Sequence, residues 1–172
     1  GDVYKRQGVI GRACVAALMV VLKQVEEIRI YDINQDAAQK YCQELSETYG
    51  VRAVAVESVE AAVRGADVIN VATAGAVSPE IQDEWLKEGV LLTLPASAAL
   101  SLNSPFDSQI VVDNWMHTEA YAQELRGLPG GYAANLSGIC GYLMDLVEGG
   151  EIPQQDIVNL GDVIAGKQEG RR

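Results

Sequence analysis

Apolar positions recur along this chain in two periods, a short alternating one suited to strands and a longer one suited to helices. Positions 28–32 form a brief β-branched run that ends at Asp32. Residues 35–49 then carry a surface rich in Gln, Lys and Glu and stop at Gly50, as a helix with a glycine cap does. A third short strand is expected over 51–56, and Ser58 is placed to cap a helix over 59–64. Residues 67–73 are apolar and β-branched, the signature of a strand buried on both faces. Part of 79–87 is expected to be helical. Strands follow at 90–94, stopped by Pro95, and at 110–112, stopped by Asp113 and Asn114. Helices are predicted over 115–125, 139–147 and 154–164, with a glycine-rich loop at 127–131. Strands alternating with helices imply βαβ units and a parallel sheet. The predicted class is α/β, a doubly wound and mostly parallel sheet.

The front of the chain sharpens that expectation. Ala13, Val15, Ala16, Ala17, Leu18, Val20, Val21 and Leu22 are apolar almost all round, which predicts a helix buried between a sheet and other helices. Gly8 and Gly11 stand ahead of it, with Val9 and Ile10 between them. A dinucleotide-binding turn reads G-x-G-x-x-G, with an acidic residue about 20 positions on. Gly8 and Gly11 fit its second and third glycines, and Asp32 fits the acid, but the first position is Arg6. In such a turn the backbone amides at the helix start hold a pyrophosphate. Residues 1–7 are too polar for a buried strand. They are expected to be a non-native tail, so that the first strand of the sheet is missing and the chain begins inside the turn. The polar stretch after Gly166 likewise suggests that the chain continues elsewhere.

Composition narrows the partners. The 172 residues carry 24 acidic against 13 Lys and Arg side chains, a net charge of −11. That balance argues against nucleic acid or an anionic membrane, both of which need clustered cations. The apolar run at 13–22 is far too short to cross a bilayer. Cys14, Cys42 and Cys140 lack metal-ligand spacing and read as reduced thiols of a cytoplasmic protein. His117 reads as a surface residue, and Met116, Met144 and Trp85 as core.

Several blocks in order resemble the ornithine cyclodeaminase/mu-crystallin family. They are residues 8–12, Val63-Arg64-Gly65-Ala66-Asp67, Glu84-Trp85-Leu86-Lys87-Glu88-Gly89, Val111-Val112-Asp113, and residues 161–166 with Gly170 and Arg171. A branch of that family, which supplies a component of tyramine oxidase, is similar around Leu94-Pro95-Ala96 and Val112-Asp113-Asn114. The resemblance implies an NAD(P)-binding Rossmann domain over 8–150, and from 151 a segment returning to a separate substrate-binding and dimerisation domain. It also implies a homodimeric parent acting on a small amino or imino acid. The alternative is a non-catalytic ligand-binding subunit of a partner amine oxidase.

Candidate site residues follow from placement. Asp32, at the tip of the second strand of such a fold, can accept hydrogen bonds from both adenosine ribose hydroxyls and repel a 2′-phosphate. NAD(H) is therefore favoured over NADP(H). Asp32 could equally cap the next helix. Ile33 is a candidate neighbour of adenine or simple packing. Thr73, Ala74 and Gly75 end the buried strand at the carboxyl edge, where ligands bind in open α/β sheets. Ser97 occupies the turn where, by the resemblance, cyclodeaminating members carry an acid/base Asp. A serine does not titrate near neutral pH and cannot act as that base, although it can hydrogen-bond substrate or nicotinamide. Ketimine reduction, as the resemblance to mu-crystallin-like members implies, is expected rather than cyclodeamination. Asp113 could line the nicotinamide side or cap the following helix. No metal site is predicted.

Overall fold

The computed structural model describes residues 2–73, 78–131 and 138–169. The chain divides into two compact units, Gly1–Leu100 and Ser101–Arg172.

The first unit begins with helix α1, Asp2–Val21. Strand β1, Glu27–Ile30, helix α2, Gln35–Tyr49, and strand β2, Arg52–Ala55, form a βαβ module. The strands pair in parallel, Glu27 opposite Arg52 through Ile30 opposite Ala55. Helix α2 has both ends determined by sequence. Asn34 Oδ1 accepts from the Ala37 N–H at 3.0 Å, and Gly50 takes the left-handed φ of 66° that closes the helix. Its buried face is Ala38, Cys42 and Leu45.

Helix α3, Val59–Val63, starts at Ser58, whose hydroxyl oxygen accepts from the Ala61 N–H. Strands β3, Val68–Asn70, and β4, Leu91–Thr93, form a second parallel pair. A 3-10 turn, Asp83–Trp85, lies between them. Val63, Ile69, Val71, Ile81 and Ala98 make the core here, with Trp85 and Leu94 half-buried against it. Of the stretch 79–87, expected to be helical in part, the 3-10 turn Asp83–Trp85 is the helical portion.

In the second unit, strand β5, Val111–Val112, pairs in parallel with β6, Val158–Asn159. Helix α4, Trp115–Leu125, and helix α5, Gly138–Glu148, close over a core of Trp115, Ala122, Leu143, Met144, Leu146, Ile152 and Ile157. The helix expected over 154–164 is instead a 3-10 turn, Gln154–Asp156, then β6, then the short helix α6, Leu160–Ile164. Ile157 and Val158 are the reason: both are β-branched and buried, and Val158 N–H donates to the Ile110 carbonyl at 3.0 Å. The segment after residue 150 therefore packs within the second unit. Met116 is exposed, not core, because it lies on the outer face of α4, whereas Met144 is buried.

Two expectations at the front of the chain need correction. Gly8, Val9, Ile10 and Gly11 do not form a loop feeding a helix: α1 runs unbroken through them from Asp2. Nor is α1 buried all round, since Val9, Ile10, Val20, Val21 and Leu22 are exposed.

The strand pairing accounts for both. In the doubly wound order 3-2-1-4-5-6, β1 and β2 correspond to places 2 and 3, and β3 and β4 to places 4 and 5. Place 1 would join the two pairs, and among the described residues no strand occupies it. The sheet of this unit is accordingly split into two parallel halves, each with an unpaired inner edge.

Candidate nucleotide site

The tip of β1 is the most fully built polar structure in the first unit. After Tyr31 the chain leaves the sheet through an Asx turn, in which the Asn34 N–H donates to Asp32 Oδ1 at 2.8 Å. Asn34 is then itself the cap of α2. The capping role open to Asp32 from sequence thus falls to Asn34, and the exposed Asp32 keeps its second carboxylate oxygen toward solvent. Ile33 is 74% exposed. A solvent-open cavity of about 540 Å³ is lined by Ile33, Asn34, Gln35 and Asp36.

Its chemistry is one-sided. The lining holds a carboxylate, two amides and an apolar side chain, with Asp32 beside it and no cation among them. A diol can donate hydrogen bonds into such a site. A phosphate there would face two carboxylates, and Asn34 already occupies one of the free amides at the α2 terminus. The residues present therefore fit a neutral diol better than a phosphate.

Helix α1 passes beside Ala72 and reaches across to α2. A Cβ added at Gly11 would lie 3.6 Å from the Ala72 Cβ, just beyond the end of β3. That is ordinary van der Waals contact, so the approach does not itself require a glycine. One residue on, the Arg12 guanidinium sits 4.3 Å from the centre of the Tyr41 ring and pairs with Glu44, both on α2. The Arg12 hydrogen bond draws the Glu44 carboxyl below its ordinary value and raises that of the guanidinium. Burial pushes up the Tyr41 phenol and the Cys42 thiol. In helical form, however, the amides of residues 8–11 face the preceding turn and offer no cradle for phosphate.

Thr73 and Ser97 lie past the carboxyl ends of β3 and β4. The Ala96 N–H donates to the Val71 carbonyl at 3.0 Å, folding the Pro95-Ala96 turn back over β3 and holding half-buried Ser97 beside that edge. Thr73 is exposed there. Behind them the Thr93 hydroxyl donates to Asn70 Oδ1 at 2.8 Å, tying the two strands near their ends. Ala74 and Gly75 lie outside the described residues. Asp113 is exposed in the second unit, where Asn114, not Asp113, caps α4. His117 is exposed on the same helix. Among the described residues no group of His, Cys, Asp or Glu could hold a metal, and the three cysteines are free thiols.

Sequence reasoning overlooked Arg12 and Gln35. The signal for Arg12 is its position directly after Gly11, facing a second helix. For Gln35 it is the preceding Asp32-x-Asn34 pattern, which turns the chain so that position 35 opens the helix beside both strand tips.

The split parallel sheet and the helices that connect its strands define a Rossmann-type α/β unit. The profile of the ornithine cyclodeaminase/mu-crystallin family matches residues 7–172, and the chain belongs to that family. Among solved structures it is similar to the Thermococcus litoralis Δ1-pyrroline-2-carboxylate reductase in complex with NADH and L-proline. That likeness has a TM-score of 0.66 at 24% identity, covers 94% of this chain and 46% of the other, and shows a shared fold. This chain thus spans less than half the length of that reductase. A search of curated proteins returned no match. No helix among the described residues is long and apolar enough to cross a membrane.

Proposed function

We propose that this chain is the nucleotide-binding part of an NAD(H)-dependent oxidoreductase that acts on the C–N bond of a small amino or imino acid. The observation that carries the reading is the Asp32 carboxylate, held in its Asx turn at the β1 tip beside an open cavity without a cation. Family membership and the reductase neighbour support the same cofactor and substrate class. A bound nicotinamide supplies the hydride.

The protein's part is orientation. Asp32 accepts from the adenosine ribose, and Ile33 lies beside the base. The backbone of residues 8–11 serves the pyrophosphate once the helix opens ahead of Gly11. Thr73 and Ser97 border the reacting end, where the Ser97 hydroxyl donates to a substrate or carboxamide oxygen. Without a carboxylate at Ser97 the chain has no general base there, so imine reduction is favoured over cyclodeamination. The parent is proposed to be a homodimer in the cytoplasm, a reducing compartment that suits three free thiols.

The test is titration of the full-length parent protein with NADH and a panel of cyclic imines. Falling nicotinamide fluorescence supports the reductase. Tight binding without turnover favours a ligand-binding component of an amine oxidase, the reading that the missing carboxylate at Ser97 also permits. No binding of NADH by the parent protein refutes both.

A further inference from the structure

We propose that Gln35 is a positioning residue: its side-chain amide latches the tip of β1 to the tip of β2 and so sets the aim of the Asp32 carboxylate. The inference rests on the adenosine reading of that tip given above.

Gln35 Nε2 donates to two backbone carbonyls, Asp32 O at 2.9 Å and Val56 O at 3.2 Å. These belong to the segments leaving two adjacent parallel strands. The β1–β2 ladder ends with Val56 N–H donating to the Ile30 carbonyl at 2.9 Å. In a continuing parallel ladder, Val56 O would next accept from the Asp32 N–H. Instead β1 turns away at Asp32, and the Gln35 amide takes the place of that backbone donor. Its other hydrogen reaches the carbonyl of Asp32 itself. One primary amide, with two hydrogens on one nitrogen, thus closes both contacts.

The consequence for Asp32 is geometric. Its carboxylate is oriented by the Asn34 N–H, and its peptide plane by Gln35. With both fixed, the carboxylate is held in one orientation at the β1 tip, one residue before the cavity that Gln35 also lines. Gln35 is half-buried, so its bonds are partly shielded from competing water. Glutamate has no hydrogen to donate when ionised, and methionine has none at all, although both keep the length of the side chain.

The experiment compares the 172-residue chain with Gln35→Met and Gln35→Glu. The probes are 5′-AMP and adenosine 2′,5′-bisphosphate, the adenosine halves of NAD and NADP. Initial slopes of amide chemical shift give their relative affinities, and amide exchange of the nucleotide-free proteins is read in parallel. The wild-type chain is expected to favour 5′-AMP by about tenfold, the scale of a hydrogen bond to a charged group. In Gln35→Met that preference falls to about threefold or less, the general repulsion from a chain of net charge −11, while Gln35→Glu, which adds a carboxylate to the same tip, is read by amide exchange alone. Exchange at Asn34 is expected to rise about tenfold, the loss of one anchored hydrogen bond, while amides in the middle of α2 stay protected.

A merely structural role would lower both affinities equally and leave their ratio alone, and that result overturns the proposal. Unchanged exchange at Asn34 overturns it whatever the nucleotides do. A wild-type chain with no preference between the probes overturns the adenosine reading instead, and the exchange comparison then decides the latch by itself.

Discussion

Replacing Gly11 with alanine should stabilise this chain. Gly11 lies inside α1, where glycine costs about 0.5–1 kcal/mol relative to alanine through lost backbone entropy. The new methyl would meet the Ala72 Cβ at 3.6 Å, ordinary van der Waals contact, so no clash offsets the gain. Half-burial of that methyl adds a few tenths, given about 0.8 kcal/mol for a fully buried CH₂. The sum is about 1 kcal/mol, or a rise of roughly 2–4 °C in Tm for a chain of this size. Gly11→Val should do the reverse. Its two γ-methyls extend past a contact already closed at the Cβ, and overpacking of this kind costs about 1–3 kcal/mol. Thermal unfolding followed by circular dichroism measures both. If Gly11→Ala lowers Tm, residue 11 is not in the helix described, and the packing of α1 on the end of β3 is wrong.

Asp32→Asn should keep the Asx turn through its remaining carbonyl oxygen while removing the charge. NADH affinity should then fall about tenfold, with NADPH affinity little changed or improved. Equal losses for the two nucleotides would refute the ribose assignment. By itself the chain should bind NADH no tighter than millimolar, because residues 8–11 are helical and the sheet is split; a submillimolar value by calorimetry would contradict that. The unpaired inner edges of β1 and β3 should also promote self-association, visible as concentration-dependent sedimentation. Ile81→Ala, at a side chain 2% exposed, should cost about 2–5 kcal/mol in urea unfolding. Burial raises the Cys42 thiol above its ordinary 9.0, so the unfolded chain loses that proton first. Stability should therefore fall as pH rises from 9.0 through the higher folded-state value, and Cys42→Ala should flatten that limb.

What was legible in the sequence was local. Helix α2 could be bounded from Asn34 to Gly50 because both caps are encoded by single residues with known preferences. Helix α4 could be bounded because Asp113 and Asn114 stop a β-branched pair just before it. The α/β class followed from alternation alone. The failures are non-local. Residues 157 and 158 are extended because Ile110 and its neighbours offer a pairing edge about 48 positions earlier in sequence, an influence that reading 154–164 by periodicity misses. The apolar surface of α1 predicts burial, yet what covers a helix is decided by the strands beneath it. At the candidate site, Asp32 was found because strand tips and acids have a known geometry. Gln35 was not, because a glutamine at a helix start carries no signal until its two carbonyl partners are located.

An adenosine seated at the β1 tip underlies the whole functional reading, and chemical-shift mapping of the chain with NADH decides it. Perturbed amides are expected to cluster at residues 32–37 and at Val56, and Asp32→Asn should shift the titration of that pattern to about tenfold higher nucleotide. Shifts confined to the second unit, or none at saturating nucleotide, would mean that the nucleotide does not bind there.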